Sequence, residues 1–113
     1  MKRKIVILGG GESGTGSAIL ALKQGFEVFV SDKGQIKDKY KESLNSHNIR
    51  WEENAHTEKI ILDADEVIKS PGIKEDAPVV LKIREKGVPV ISEIEFAGRY
   101  AKGKKICITG SNG

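Results

Sequence analysis

One cysteine, Cys107, among 113 residues leaves nothing for a disulfide and too little for a metal–thiolate cluster. Set inside Ile106-Cys107-Ile108, it reads as a small core residue. Prolines number three and aromatic residues make up 5%, which excludes a proline-rich linker and a base-stacking platform. No apolar run approaches the roughly 20 residues of a membrane span. The run after the basic start Met1-Lys2-Arg3-Lys4 extends only from Ile5 to Leu8, too short for a signal-peptide core. Charge of one sign is missing too: 19 basic residues face 16 acidic ones for a net +3. The signs are interspersed, as at Lys82, Arg84, Glu85 and Lys86, whereas nucleic acid asks for a concentrated basic face. Neither nucleic acid nor a membrane is an expected partner, and the expected location is cytoplasmic.

What is present suits one folded domain. Apolar residues at 38% and charged residues at 31% fit a globular chain, and this length can bury roughly two-thirds of the unfolded surface. Lys4 to Leu8 is a strand buried on both faces, closed by glycines. Ser13 to Gln24 has helical periodicity, ended by Gly25. Glu27 to Ser31 is a second strand, and Ile36 to His47 a polar helix with Tyr40 and Leu44 on one face. Arg50-Trp51 starts a short strand, with Trp51 partly in the core, and Thr57 to Leu62 is a short helix with Thr57 as its N-cap. Glu66 to Lys69 is a strand ended by Ser70-Pro71-Gly72. Ala77 to Lys86 is a helix with Pro78 in its first turn. Val88 to Ile91 is a strand whose Pro89 places it at a sheet edge. Ser92 to Ala101 is a helix with a capping box, Ser92 to Glu95, and Lys105 to Thr109 is a last strand. Strict alternation of strand and helix predicts an α/β fold: a Rossmann-like parallel sheet with helices on both faces, in a single domain.

Gly9-Gly10-Gly11-Glu12-Ser13-Gly14 satisfies G-x-G-x-x-G between a strand and a helix. Gly9 allows the tight turn, Gly11 lets a phosphate approach the backbone, and Gly14 lets the helix pack on the strand. The helix N-terminus offers N–H groups and partial positive charge to an anion, and Ser13 adds a hydroxyl. Asp32 ends the second strand about twenty residues past the motif, where dinucleotide-binding domains hold a ribose. This spacing suits NAD and equally any nucleoside diphosphate. The last residues, Ile108-Thr109-Gly110-Ser111-Asn112-Gly113, form a strand running into half of a phosphate-binding loop, whose expected continuation is Lys and Ser or Thr. Two nucleotide sites in tandem are therefore expected, the second for ATP.

Several residues are set aside. His47 and His56, with no paired ligand nearby, read as surface histidines. Glu52, Glu53, Asp63, Asp65 and Glu66 read as carboxylates of solvated turns, and Ser13 lacks the context of a hydrolase nucleophile.

Together these stretches resemble the muramyl ligases, the ATP-dependent enzymes that build the peptide of bacterial peptidoglycan. The resemblance is carried by Ile7 to Gly14, Ser31-Asp32, Ser70-Pro71-Gly72-Ile73, Ser92-Glu93-Ile94-Glu95-Phe96 and Ile108 to Gly113. The Ser-Pro-Gly-Ile and Glu-Ile-Glu-Phe stretches are most similar to the D-glutamate-adding branch. The resemblance implies a UDP-substrate-binding domain over 1–101, with 102–113 as linker and truncated start of a central ATP-binding domain. It implies UDP contacts from Gly11, Glu12, Ser13, Asp32, Lys33, Ser70, Pro71 and Gly72, and a partial ATP loop at Gly110, Ser111, Asn112 and Gly113. Glu12 and Gly34 depart from the family's usual residues. The substrates implied for the full-length enzyme are UDP-N-acetylmuramoyl-L-alanine, D-glutamate and ATP, with magnesium; the fragment itself is expected to be monomeric, to carry no catalytic residue and to hold no cofactor or metal. The alternatives that remain are an NAD(P)-binding module of a dehydrogenase or regulator, and a structural Rossmann-like domain without ligand.

Overall fold

The computed structural model describes residues 2–101. The expected last strand with Cys107, the linker through Lys104 and the half-loop Gly110 to Gly113 lie outside them.

Five strands form one sheet among the described residues: β1 (Lys4–Leu8), β2 (Glu27–Ser31), β3 (Arg50–Glu52), β4 (Glu66–Lys69) and β5 (Val90–Ser92). Their order is β3-β2-β1-β4-β5, and each neighbouring pair is parallel. Parallel pairing requires a crossover after each strand. The crossovers are α1 (Glu12–Lys23), α2 (Asp38–Ser46), α3 (Glu58–Ile61) and α4 (Pro78–Lys86), with α5 (Glu93–Arg99) following β5.

Strand side chains alternate between faces, and the two cores follow from that. Ile5, Ile7, Val28, Val30 and Ile68 meet Ala18 and Ala21 of α1, Leu44 of α2 and Phe96 of α5 on one face. Val6, Leu8 and Val67 meet Ile61 of α3 and Val79, Val80 and Ile83 of α4 on the other. A strand covered on both faces cannot alternate apolar with polar, and this is why β1 reads as an unbroken apolar run.

Differences from the sequence reading sit at element ends. The helix expected from Ile36 begins at Asp38, because Ile36 is buried in the connecting loop and its N–H is taken by Glu53 Oε1 at 2.9 Å. Glu53 also pairs with Lys41 at 2.9 Å, so it anchors a loop rather than a solvated turn. Thr57 precedes α3 as expected but does not cap it; its hydroxyl and N–H both go to Glu52. Glu66 is the largest departure. It is buried at the start of β4 and takes a two-pronged bond from Arg99 of α5, at 3.1 and 2.6 Å. Asp63 and Asp65 both hold Lys4, through its ammonium and its N–H. The expected capping box is present: Glu95 N–H donates to Ser92 Oγ, and Ser92 N–H to Glu95 Oε1.

Candidate functional site

Sheet order reverses direction beside β1, since one crossover leads to β2 on its left and a later one to β4 on its right. In open parallel sheets the loops beyond the strand ends diverge at such a point and leave a crevice. Here a cleft of about 520 Å³ opens there, lined by Gly9, Gly11, Asp32, Lys33, His56, Ser70, Gly72 and Ile73, among others.

The glycines are not equivalent. Gly9 has φ +108°, and a Cβ on it would lie 2.8 Å from Ser70 Cβ. A side chain at Gly10 would meet Ile36 at 2.8 Å, and one at Gly14 would overlap the carbonyl oxygen of Gly9. Packing within the protein accounts for all three. Gly11 differs, because a Cβ there would touch no protein atom within 4 Å and its backbone is extended. It stands at the N-cap of α1, where no side chain caps the helix. The first-turn N–H groups of Glu12 and Ser13 therefore lack the intrahelical partner that later residues have.

Asp32 fastens this loop. Its Oδ2 accepts from Gly10 N–H at 2.7 Å and its Oδ1 from Gly34 N–H at 2.8 Å. Each carboxylate oxygen thus already holds a backbone donor, so the residue read as a sugar ligand also acts as the clamp of the glycine turn. Gly34 in turn accepts from Asn54 N–H at 2.9 Å, and Asn54 has φ 60°, a left-handed conformation that asparagine tolerates. On the opposite bank, the ammonium of buried Lys69 donates to the carbonyl of Ile73 at 2.6 Å and pairs with Glu75 at 3.0 Å. The Ser70-Pro71-Gly72 turn is held shut from beneath by that lysine. Nothing in the apolar run of β4 pointed to this.

Of the expected UDP contacts, Gly11, Asp32, Lys33, Ser70 and Gly72 border this cleft together. Glu12 borders a neighbouring hollow with Gly10, Gln35, Lys37 and Tyr40. Ser13 lines a groove between α1 and α5 with Ser17, Glu93 and Ile94. Pro71 is exposed within the turn, outside the residues lining the cleft.

His56, read from sequence as a surface histidine, is instead half-buried in the cleft wall. Its Nδ1 lies 2.7 Å from the hydroxyl of fully buried Ser31. Burial pulls its imidazole below the ordinary value; Glu52 and Asp32 pull the other way and do not reverse it. Glu52, also read as a solvated carboxylate, accepts from Ser31 Oγ at 2.8 Å and from Thr57. Burial pushes that carboxyl up, but the donors from Thr57 and Ser31 outweigh it and hold it below the usual range. The strand order, bringing β3 beside β2, is what unites these groups, and no local pattern carries it.

Comparison with known proteins adds a second line of observation. A family described as "MurD N-terminal domain" matches residues 4–79. A UDP-N-acetylmuramoylalanine–D-glutamate ligase of Bacteroides thetaiotaomicron is 68% identical over 111 residues, covering 98% of this chain and 25% of that protein. A protein of the same name from Bacteroides fragilis is 64% identical over the same shares. The chain spans about a quarter of the length of the curated relatives it matches. Among solved structures, a pseudomurein peptide ligase type C from Methanothermus fervidus superposes with a TM-score of 0.77 at 26% identity, covering 91% of this chain and 21% of that one.

Proposed function

The chain belongs to the family of MurD N-terminal domains, and from that premise we propose that its cleft holds the UDP moiety of UDP-N-acetylmuramoyl-L-alanine. The observation that carries the reading is Gly11. It is the one position of the glycine motif that packing leaves unexplained, and it stands between an uncapped helix start and the cleft. A diphosphate seated there meets the N–H groups and partial positive charge of α1 without a side chain in the way. Lys33 supplies a cation at the rim. Ser70 and Gly72 bound the opposite side, and Ser13, which lines the groove between α1 and α5, contributes its first-turn N–H. Glu12, exposed in the same turn, sits on the flank facing the neighbouring hollow, and Pro71 shapes the turn that carries Ser70 and Gly72.

For the longer protein the reading joins the relatives' name to what the family resemblance implies: a cytoplasmic, monomeric, ATP-dependent ligase that joins D-glutamate to UDP-N-acetylmuramoyl-L-alanine in peptidoglycan synthesis. Residues 1–101 are its substrate domain, and 102–113 begin the part that engages ATP and magnesium. This chain positions the nucleotide end of the substrate and performs no chemistry alone. The comparisons lend no support to a dehydrogenase module.

Titration followed by two-dimensional NMR tests the proposal. UDP is expected to shift the amide signals of Gly9 to Ser13, Asp32, His56 and Ser70 to Ile73, with a Kd near the millimolar range, since a substrate that spans several domains makes only part of its contacts here. Shifts with NADH and none with UDP, or silence with both, overturn it.

A further inference from the structure

Ser31 dictates the protonation pattern of His56 from behind the cleft wall. The Ser31 hydroxyl has one proton and three neighbours: Glu52 Oε2 at 2.8 Å, His56 Nδ1 at 2.7 Å and the Ala55 carbonyl at 3.2 Å. Glu52 is ionised, and a charged acceptor outcompetes a longer contact to a neutral carbonyl. If the proton turned to His56 instead, the Ser31 and Glu52 oxygens would face each other at 2.8 Å with no hydrogen between them. The proton therefore goes to Glu52, and Ser31 accepts from Nδ1–H. The charged groups acting on the ring are Glu52 from β3 and Asp32 and Lys33 from the loop after β2; Glu58, at the start of α3, lines the same cleft and pairs with Lys82. Their sum, with burial, leaves the imidazole neutral at physiological pH. A neutral ring with hydrogen on Nδ1 has a bare lone pair on Nε2. His56 lines the cleft, and with Nδ1 tied to the buried serine the ring nitrogen left to meet a ligand is Nε2.

We infer that His56 selects the base: its Nε2 accepts a hydrogen bond from the imide N–H of a uracil-type ring. The inference rests on the UDP reading of the cleft. Uracil offers an N–H at ring position 3, flanked by two carbonyls, whereas cytosine has a lone pair there. Against His56, cytosine would set two acceptors face to face, and a buried group left without its partner costs far more than the bond gains. A methyl group on the uracil nitrogen would remove the donor in the same way. The glycine motif does not distinguish these bases, because it acts on the phosphate side of the nucleotide; Asp32 and Lys33, which the family resemblance sets beside the uracil ring, line the same cleft as His56.

The experiment titrates the 113-residue chain and its His56→Leu variant with UDP, CDP and N3-methyl-UDP by NMR, and records the ring nitrogens of His56 in the wild type. The expected result is UDP bound about tenfold more tightly than the other two by the wild type. In the variant the three are expected to fall within about twofold of one another. The ring is expected to carry hydrogen on Nδ1 and none on Nε2. An equal preference for UDP in both proteins, or hydrogen on Nε2, overturns the inference while UDP binding itself still stands. No binding of UDP by the wild type overturns the reading beneath it as well. If His56→Leu fails to fold, the wild-type comparison of UDP with N3-methyl-UDP decides: equal affinity overturns the inference, and a tenfold gap supports it.

Discussion

Gly11 and Gly14 separate two reasons for glycine that one motif conceals. At Gly14 a methyl group would enter the space of the Gly9 carbonyl, and backbone at the end of a central strand cannot withdraw. Gly14→Ala is expected to cost about 3 kcal/mol, lowering the melting temperature by at least ~10 °C, as calorimetry or circular dichroism would measure. At Gly11 the same methyl meets no protein atom. Gly11→Ala is expected to leave the melting temperature within a few degrees of wild type while weakening UDP binding about tenfold, since the methyl occupies the phosphate approach. Similar melting losses in both variants would show that the cleft has no special claim on Gly11. This division was half legible in the chain. The pattern assigned Gly14 to packing and Gly11 to a phosphate, but the contacts that confine Gly9 and Gly10 come from Ser70 and Ile36, distant in sequence.

At the scale of elements, α5 shows how a short helix is fastened. Its capping box satisfies the first turn, and Phe96 is buried against the core shared with α1, edge-on to Phe26 and Tyr100. Arg99 in the last turn closes on Glu66 at the start of β4, which holds the guanidinium protonated more firmly than usual, through that bond first. Arg99 is partly exposed, so solvent screens the pair, but Glu66 is not. Arg99→Leu strands a buried carboxylate and is expected to cost about 2 kcal/mol, read from urea denaturation midpoints. Adding Glu66→Gln to that variant removes the stranded charge and is expected to restore at least half of the loss. If the double variant is as unstable as the single one, the buried charge was not the cause. The capping box was readable because it spans three residues. The ion pair spans from one strand to a helix beyond the next strand, and sequence alone read the carboxylate of Glu66, the first residue of its strand, as solvated.

The whole molecule responds to acid through groups that its strand order brings together. Burial holds His56 below its ordinary 6.5, so the unfolded chain takes up that proton first. Stability is therefore full above about pH 7 and falls as pH drops below 6.5 toward the lower folded value. Glu52 is held low by Thr57 and Ser31 against burial, which pushes it up. It contributes stability above its ordinary 4.5 that is lost as pH falls further. Glu93 runs the other way: burial raises its carboxyl, so protonating it favours the folded chain. The expected melting curve against pH is level near neutrality, declines in a first step below about 6.5, and declines again below about 4.5. In His56→Leu the first step disappears. A first step that persists in the variant would assign it to another group.

Among the described residues, local sequence determined the elements to within two residues at each end, because strand runs buried on both faces, glycine stops, a proline start and a capping box are all short-range signals. The fold class followed from their alternation, and the family from motifs that lie on single turns. Tertiary structure alone decided which carboxylates are anchors, which lysine staples the Ser70 turn, and that His56 belongs to the cleft. Those assignments depend on β3 lying beside β2 and β4 beside β1, and pairing across a sheet is set by the whole chain's packing rather than by any stretch of it.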